Sequence, residues 1–143
     1  MKSLFFSVPV VLLIGACHSP EEDTAVEYPT EVISEAGDFR VSWTSSPDPI
    51  VPVEFFSMVF EIEESATNLP VDETAVLTLE VTMPDHGHGM TVEPVLVGMG
   101  EGRWEASPMK FHMTGFWEMV LSIEHAVGDD QAVFGVDCCQ APQ

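Results

Sequence analysis

The clearest pattern in this chain is the alternation of apolar and polar side chains. In "FRVSW", Phe39, Val41 and Trp43 are separated by polar residues, and the same period of two recurs over residues 53–64, 73–83 and 116–124. Successive side chains of a β-strand point to opposite faces, so this alternation predicts strands with one buried face. The side chains expected on the buried faces of the three longer segments are Phe56, Met58, Phe60, Ile62, Ala75, Leu77, Leu79, Val81, Met83, Trp117, Met119, Leu121 and Ile123.

Shorter strands are expected at residues 91–98, 102–106, 109–113 and 131–137, with turn sequences such as "SSPDP", "GMGEG" and "VGDD" between the strands. Seven or eight short antiparallel strands in about 100 residues predict an all-β fold, an immunoglobulin-like β-sandwich. The predicted domain spans residues 38–137, and the inward faces carry enough large apolar side chains for a single core.

The N-terminal segment has the features of an export signal. Lys2 precedes an apolar run from Leu4 to Ile14, which is too short to span a bilayer as a helix of about 20 residues. We therefore predict a signal peptide over residues 1–16. The sequence "IGAC" resembles the lipobox of bacterial lipoproteins, which implies that Cys17 becomes the lipidated N-terminus and anchors the protein to a membrane. An ordinary signal peptide with an incidental cysteine is the alternative.

His18 stands where an aspartate often signals retention in the inner membrane. We therefore expect the protein in the cell envelope, at the outer membrane and facing the periplasm. Residues 17–37 are acidic and poor in large apolar side chains, which predicts a tether between the lipid and the domain.

The charge of the chain is strongly unbalanced. All 24 Asp and Glu residues follow Cys17, and only Arg40, Arg103 and Lys110 oppose them there. Such a surface repels nucleic acid, so no nucleic-acid partner is expected. Diffuse negative charge is not a binding site, and most of these carboxylates are expected to be solvated.

Residues 138–143 are predicted to be a C-terminal tail that carries the adjacent cysteines Cys138 and Cys139. An exported protein can keep disulfides. The pair could close a small ring, bridge to another chain, bind a soft metal, or remain as two thiols, and the sequence leaves these alternatives open.

The segment "TMPDHGHGM" is the main candidate for chemistry. Pro84 cannot donate a ladder hydrogen bond and should end the preceding strand. Gly87 and Gly89 allow positive φ, which lets the imidazoles of His86 and His88 be aimed at one point. Met90 adds a thioether. Imidazole with thioether is a donor set that copper prefers, especially as the cuprous ion.

A second cluster lies in "PMKFHMTGFW". Phe111 is expected on the apolar face together with Met109 and Met113, which places His112 on the opposite face. The alternative treats the methionines as core residues that fill irregular gaps and the histidines as surface residues. Together the two clusters provide the candidate metal ligands, His86, His88, Met90 and His112, with Met83 and Met113 as lower-ranked candidates.

The segments "LTLEVTMPDHGHGM" and "GRWEASPMKFHMTGFWEMVLSIE" resemble the YtkA-like domain, which is related to FixH-like proteins. The resemblance covers residues 39–124 and is carried by Met83, Pro84, His88, Gly89, Met90, Gly102, Arg103, Trp104, Phe111, Met113, Gly115 and Trp117. It implies an exported, membrane-anchored immunoglobulin-like sandwich that takes part in copper handling or haem–copper oxidase assembly. FixH-like proteins carry a transmembrane anchor in place of a lipid, and His86 and His112 are additions to the family pattern.

The sequence therefore predicts a lipid-anchored envelope protein that binds a metal ion, with copper favoured by the donor set, for buffering, delivery or oxidase assembly. Its expected partner is a copper-handling or oxidase protein. The alternative is a metal-free sandwich that acts as an interaction or assembly module. An enzyme is not expected, because the chain has no nucleophile elbow and no zincin motif.

Overall fold

A computed structural model describes residues 28–139, which form nine β-strands and contain no helix. Accordingly, this part of the chain has no helix with the length and apolar character needed to cross a membrane. The predicted signal peptide, Cys17 and residues 18–27 of the tether lie outside the described residues. The strands are β1 (Glu31–Ile33), β2 (Phe39–Ser46), β3 (Phe56–Glu64), β4 (Val76–Met83), β5 (His88–Gly89), β6 (Val95–Gly100), β7 (Arg103–Met109), β8 (Gly115–His125) and β9 (Gly128–Cys138).

The strands form two antiparallel sheets that pack face to face. One sheet has the order β1-β2-β3-β7-β6 and the other the order β5-β4-β8-β9. An immunoglobulin-type sandwich has this arrangement, in which four strands in the order β2-β3-β7-β6 lie opposite strands in the order β5-β4-β8-β9. The predicted fold class is therefore confirmed.

The core is built from the alternating residues of the longer strands. Trp117, Met119, Leu121 and Ile123 on β8 are fully buried, as are the inward-facing residues of β3 from Met58 to Ile62. Each such side chain stabilises the fold by about 1.5–3 kcal/mol when it is removed from water. The predicted inward faces of the longer strands are thus confirmed, although the start of β4 is only half-buried.

The structure differs from the predicted strands around β7. Residues 102–106 and 109–113 were expected to form two strands, but Arg103–Met109 form one strand that is followed by a loop over residues 110–114. A register shift makes this possible: Met58 pairs with Ala106, and Phe56 pairs with Met109. One extra residue in β7 at this irregularity returns the next side chain to the core face.

The domain also begins earlier than expected. Strand β1 lies inside the predicted tether of residues 17–37 and pairs with residues 40–42 of β2. Val32 packs against the core, and the Trp43 N–H donates a hydrogen bond to the Thr30 carbonyl. Periodicity could not reveal a strand of three residues.

At the C-terminus, Cys138 and Cys139 form a disulfide with each other, which is one of the alternatives that the sequence left open. Cys138 is buried at the end of β9, where it pairs with Gly115 at the start of β8.

Candidate functional site

The turn after β4 carries two of the candidate histidines. The Met83 carbonyl accepts hydrogen bonds from the N–H groups of His86 and Gly87, at 3.1 and 2.9 Å. Gly87 has a φ of 65°, a conformation that glycine adopts without steric cost. The chain thus reverses direction, and β5 pairs with the end of β4, so that His88 lies opposite Met83.

His86 and His88 are neighbours because of this turn. Their ring centroids are 5.7 Å apart. His86 is exposed, whereas His88 is half-buried on β5. The sequence predicted that the two imidazoles could converge, and the structure brings them together by a turn and a two-residue strand.

His112 approaches from the loop between β7 and β8. The Trp117 indole N–H donates a hydrogen bond to the Met113 carbonyl at 3.0 Å, and the Phe111 ring stacks on Trp117 with centroids 4.8 Å apart. These contacts hold the loop against the sandwich. The ring of His112 lies 5.1 Å from that of His88, centroid to centroid. We call His86, His88 and His112 the imidazole row.

The spacing of the imidazole row is compatible with shared ligation of one ion. A histidine nitrogen binds a first-row metal at about 2.0–2.1 Å, so the centroids of two imidazoles on one ion lie within roughly 6.5 Å. Both neighbouring distances in the row fall below this limit. In addition, the Nδ1 atom of His112 is buried and has no hydrogen-bond partner among the described residues. A buried polar atom without a partner costs free energy that a ligand could recover.

The candidate methionines occupy three different environments. Met83 is 1% exposed and belongs to the core. Met90 is half-buried, packs against the core and follows β5, and its N–H donates a hydrogen bond to the Val81 carbonyl at 3.3 Å. Met113 is exposed and follows His112 in the loop. Met90 and Met113 are therefore the thioethers that adjoin the row in sequence without being enclosed by the core.

Residues 28–139 contain no group of three or more His, Cys, Asp and Glu side chains placed to hold a metal ion. The imidazole row alone is therefore not a closed histidine centre. Two imidazoles completed by a thioether would be a different kind of site, and that donor set suits cuprous copper better than zinc.

The sequence predicted Trp117 as a core residue and as part of the family pattern, but gave it no role at the site. Its indole N–H and its ring nevertheless fix the loop that carries His112, and its ring centroid lies 5.4 Å from that of His112 and 6.2 Å from that of His88. The available signal was its position at the end of "FHMTGFW", immediately after the candidate ligands.

Comparison with known proteins identifies the family. The model of the YtkA-like family matches residues 32–122. The chain is also similar to a DUF4426 family protein from Pseudomonas aeruginosa PAO1, whose crystal structure superposes with a TM-score of 0.48. The two sequences are 13% identical, and the match covers 74% of this chain and 94% of the DUF4426 chain. The search of curated proteins returned no match. Neither of these families is known for an enzymatic activity. Because the family match spans more than half of the sequence, the chain belongs to the YtkA-like family.

Proposed function

We propose that this protein is a lipid-anchored protein of the cell envelope that binds copper reversibly, for buffering, delivery or oxidase assembly. The observation that carries the proposal is the approach of His112 to His88, with ring centroids 5.1 Å apart and a buried, unpartnered Nδ1 on His112. Membership in the YtkA-like family supports a place in the cell envelope. The acyl chains on Cys17 would hold the domain at the membrane, close to a copper-handling or oxidase partner.

Within the proposed site, His88 and His112 supply the imidazole donors and Met90 a thioether. His86 and Met113 are exposed and stand at the solvent side, where they would meet an incoming or departing ion first. Met83 is enclosed by the core, so its immediate role is packing. It packs closely against Gly115, because a Cβ added to that glycine would lie only 3.2 Å from the Met83 methyl carbon. Partial exposure of the donors suits exchange of the ion with a partner rather than permanent retention.

The test is a titration of the purified protein with cuprous ion, without oxygen and against a competing chelator. Replacing both central imidazoles, in His88→Ala/His112→Ala, should weaken binding about 100-fold, which corresponds to ~2.7 kcal/mol. His125→Gln is the matched control. It removes an imidazole at the opposite end of β8, roughly 30 Å away along the strand, and should leave the affinity unchanged.

The donor chemistry can be tested in the same titration. Met90→Leu keeps the apolar volume but removes the thioether, and should weaken cuprous binding more than zinc binding. Met99→Leu, on an exposed side chain of β6, is its control. An unchanged affinity in the double histidine variant would show that the site is wrong. A wild-type protein that binds no copper would leave the metal-free interaction module as the function.

A further inference from the structure

One long side of the sandwich is open between two edge strands. β6 is the last strand of the five-stranded sheet, and β5 covers only residues 82–83 of β4 in the other sheet. No strand of residues 28–139 pairs with Val76–Val81 on that side. A groove of about 600 Å³ runs there between β4 and the segment that leads into β6.

The backbone of β4 offers free hydrogen-bonding groups to this groove. The Val81 carbonyl accepts the Met90 N–H at 3.3 Å, which shows that Val81 directs its backbone groups away from β8. Alternate residues of an antiparallel strand point their backbone groups to the same side. Leu77 and Leu79 therefore direct theirs into the groove, in line with β5. A strand edge of this kind is a template for an added strand.

The side chains of the groove combine an apolar floor with an acidic rim. Leu77, Leu79 and Met90 are half-buried and pack against the core, whereas Glu80 and Glu93 are exposed. Among residues 28–139, no Lys, Arg or His lines the groove, which is lined by residues 77–82, Gly89, Met90, residues 92–94 and Leu96. An extended segment with apolar side chains on one face and basic side chains on the other would match both features.

We propose that β4 binds an extended segment of a partner protein in which apolar residues alternate with Lys or Arg, as an added strand in line with β5. The charge of the groove argues against other occupants. A second copy of the chain would bring the β4 edge that carries Glu80 against the same acidic edge of the first copy. Residues 18–27 of the chain itself include Glu21, Glu22 and Asp23, so this segment would also be repelled by the acidic rim. The proposal does not depend on copper binding and is tested with the metal-free protein.

The probe is a labelled peptide of alternating valine and lysine, eight residues long to match β4. A peptide of alternating valine and glutamate is its control. Fluorescence anisotropy should show binding of the lysine peptide alone. Hydrogen exchange followed by NMR should show new protection of the Leu77 and Leu79 amides on binding, because these N–H groups would enter the new ladder.

Two variants of the groove test the placement. Glu80→Lys/Glu93→Lys should weaken binding of the lysine peptide by at least about tenfold. Leu79→Pro should do the same by removing an outward N–H, since proline is tolerated on an edge whose N–H faces away from the ladder. The control Glu31→Lys/Glu35→Lys makes the same charge change on and beside β1, at the opposite edge of the five-stranded sheet, and should retain binding.

The outcomes separate the alternatives. If Glu80→Lys/Glu93→Lys and Glu31→Lys/Glu35→Lys weaken binding of the lysine peptide equally, the attraction is diffuse and the proposal is wrong. The proposal is also wrong if the lysine peptide does not bind, or if the Leu77 and Leu79 amides gain no protection. A dimer that Leu79→Pro dissociates would assign the edge to a second copy instead. If Leu79→Pro fails to fold, the exposed glutamate variant and the exchange measurement still decide the matter.

Discussion

At the scale of single residues, the carboxylate of Asp130 joins the two ends of the domain. It is buried on β9 and accepts the backbone N–H groups of Ala36 at 2.9 Å, Asp38 at 3.2 Å and Gln131 at 2.7 Å. Burial raises the pKa of Asp130, but hydrogen bonding from Ser34 and from these N–H groups outweighs burial and lowers the pKa below its ordinary value of 3.8. The ionised form therefore ties the turn between β1 and β2 to β9.

This ionised carboxylate predicts a loss of stability in acid. A pKa that is lower in the folded than in the unfolded state adds stability above the unfolded value, and the gain is lost as the pH falls through the folded value. The free energy of unfolding should therefore decline below about pH 4. Asp130→Asn should reduce it by about 1–3 kcal/mol at pH 7 and flatten that decline.

Urea denaturation of the wild type and of Asp130→Asn, at pH 7 and at pH 3, measures the effect of this substitution on the free energy of unfolding. Asp129→Asn changes the exposed neighbour of Asp130 and serves as the control, with little expected change. Equal stability of wild type and Asp130→Asn at pH 7 would contradict the structural role of this carboxylate.

At the scale of elements, the loop over residues 110–114 is positioned by Trp117, and this arrangement allows the proposed copper binding to be tested by fluorescence. Copper bound between His88 and His112 would lie close to the Trp117 indole, whose ring centroid is 6.2 and 5.4 Å from those two imidazoles. Copper should therefore quench part of the tryptophan emission of the wild-type protein. Trp117→Phe should lose that quenching and also bind copper about fivefold more weakly, because the loop loses a half-buried hydrogen bond worth ~1 kcal/mol.

The control for Trp117→Phe is Trp43→Phe on β2, which removes an indole outside the loop and should preserve both the quenching and the affinity. Fluorescence titration under the same chelator conditions compares the two. Quenching that persists in Trp117→Phe would place the ion elsewhere on the protein.

The long strands could be predicted from the sequence because their signal is local. β3 and β8 have one solvent-facing and one buried face over nine and eleven residues, so alternation alone identifies them. The limits of β7 could not be predicted, because a register shift against β3 moves its last residues out of the simple period of two. β5 has only two residues and exists because the Met83 carbonyl anchors the turn before it.

The candidate site was predictable in part for a similar reason. His86 and His88 are separated in sequence by Gly87 alone, and glycine beside each of them indicated a turn that could aim them together. The approach of His112 depends on the pairing of β4 with β8, which sets Thr82 opposite Glu118 and brings two connections to one end of the sandwich. The register of β4 with β8 joins residues that are far apart in sequence, so no local sequence pattern predicts it.

At the scale of the whole molecule, the dominant feature is a formal charge of −20. The ion pairs of the described residues compensate little of it. Arg40 meets Glu63 at 3.4 Å and Arg103 meets Glu61 at 3.5 Å, and all four side chains are at least one third exposed. Exposed pairs of this kind contribute about 0–1 kcal/mol. The folded state therefore retains a large repulsion among carboxylates.

Since salt screens this repulsion, the thermal midpoint should rise with sodium chloride. The Debye length falls from about 30 Å at 0.01 M to about 10 Å at 0.1 M, so most of the rise should occur over this range. Calorimetric scans measure the midpoint, with chloride preferred to sulfate because sulfate also strengthens apolar burial. Reversing the four exposed glutamates Glu31, Glu35, Glu80 and Glu93 to lysine should flatten the dependence. If the thermal midpoints of the wild type and of this variant rise equally with sodium chloride, salt acts through something other than net charge.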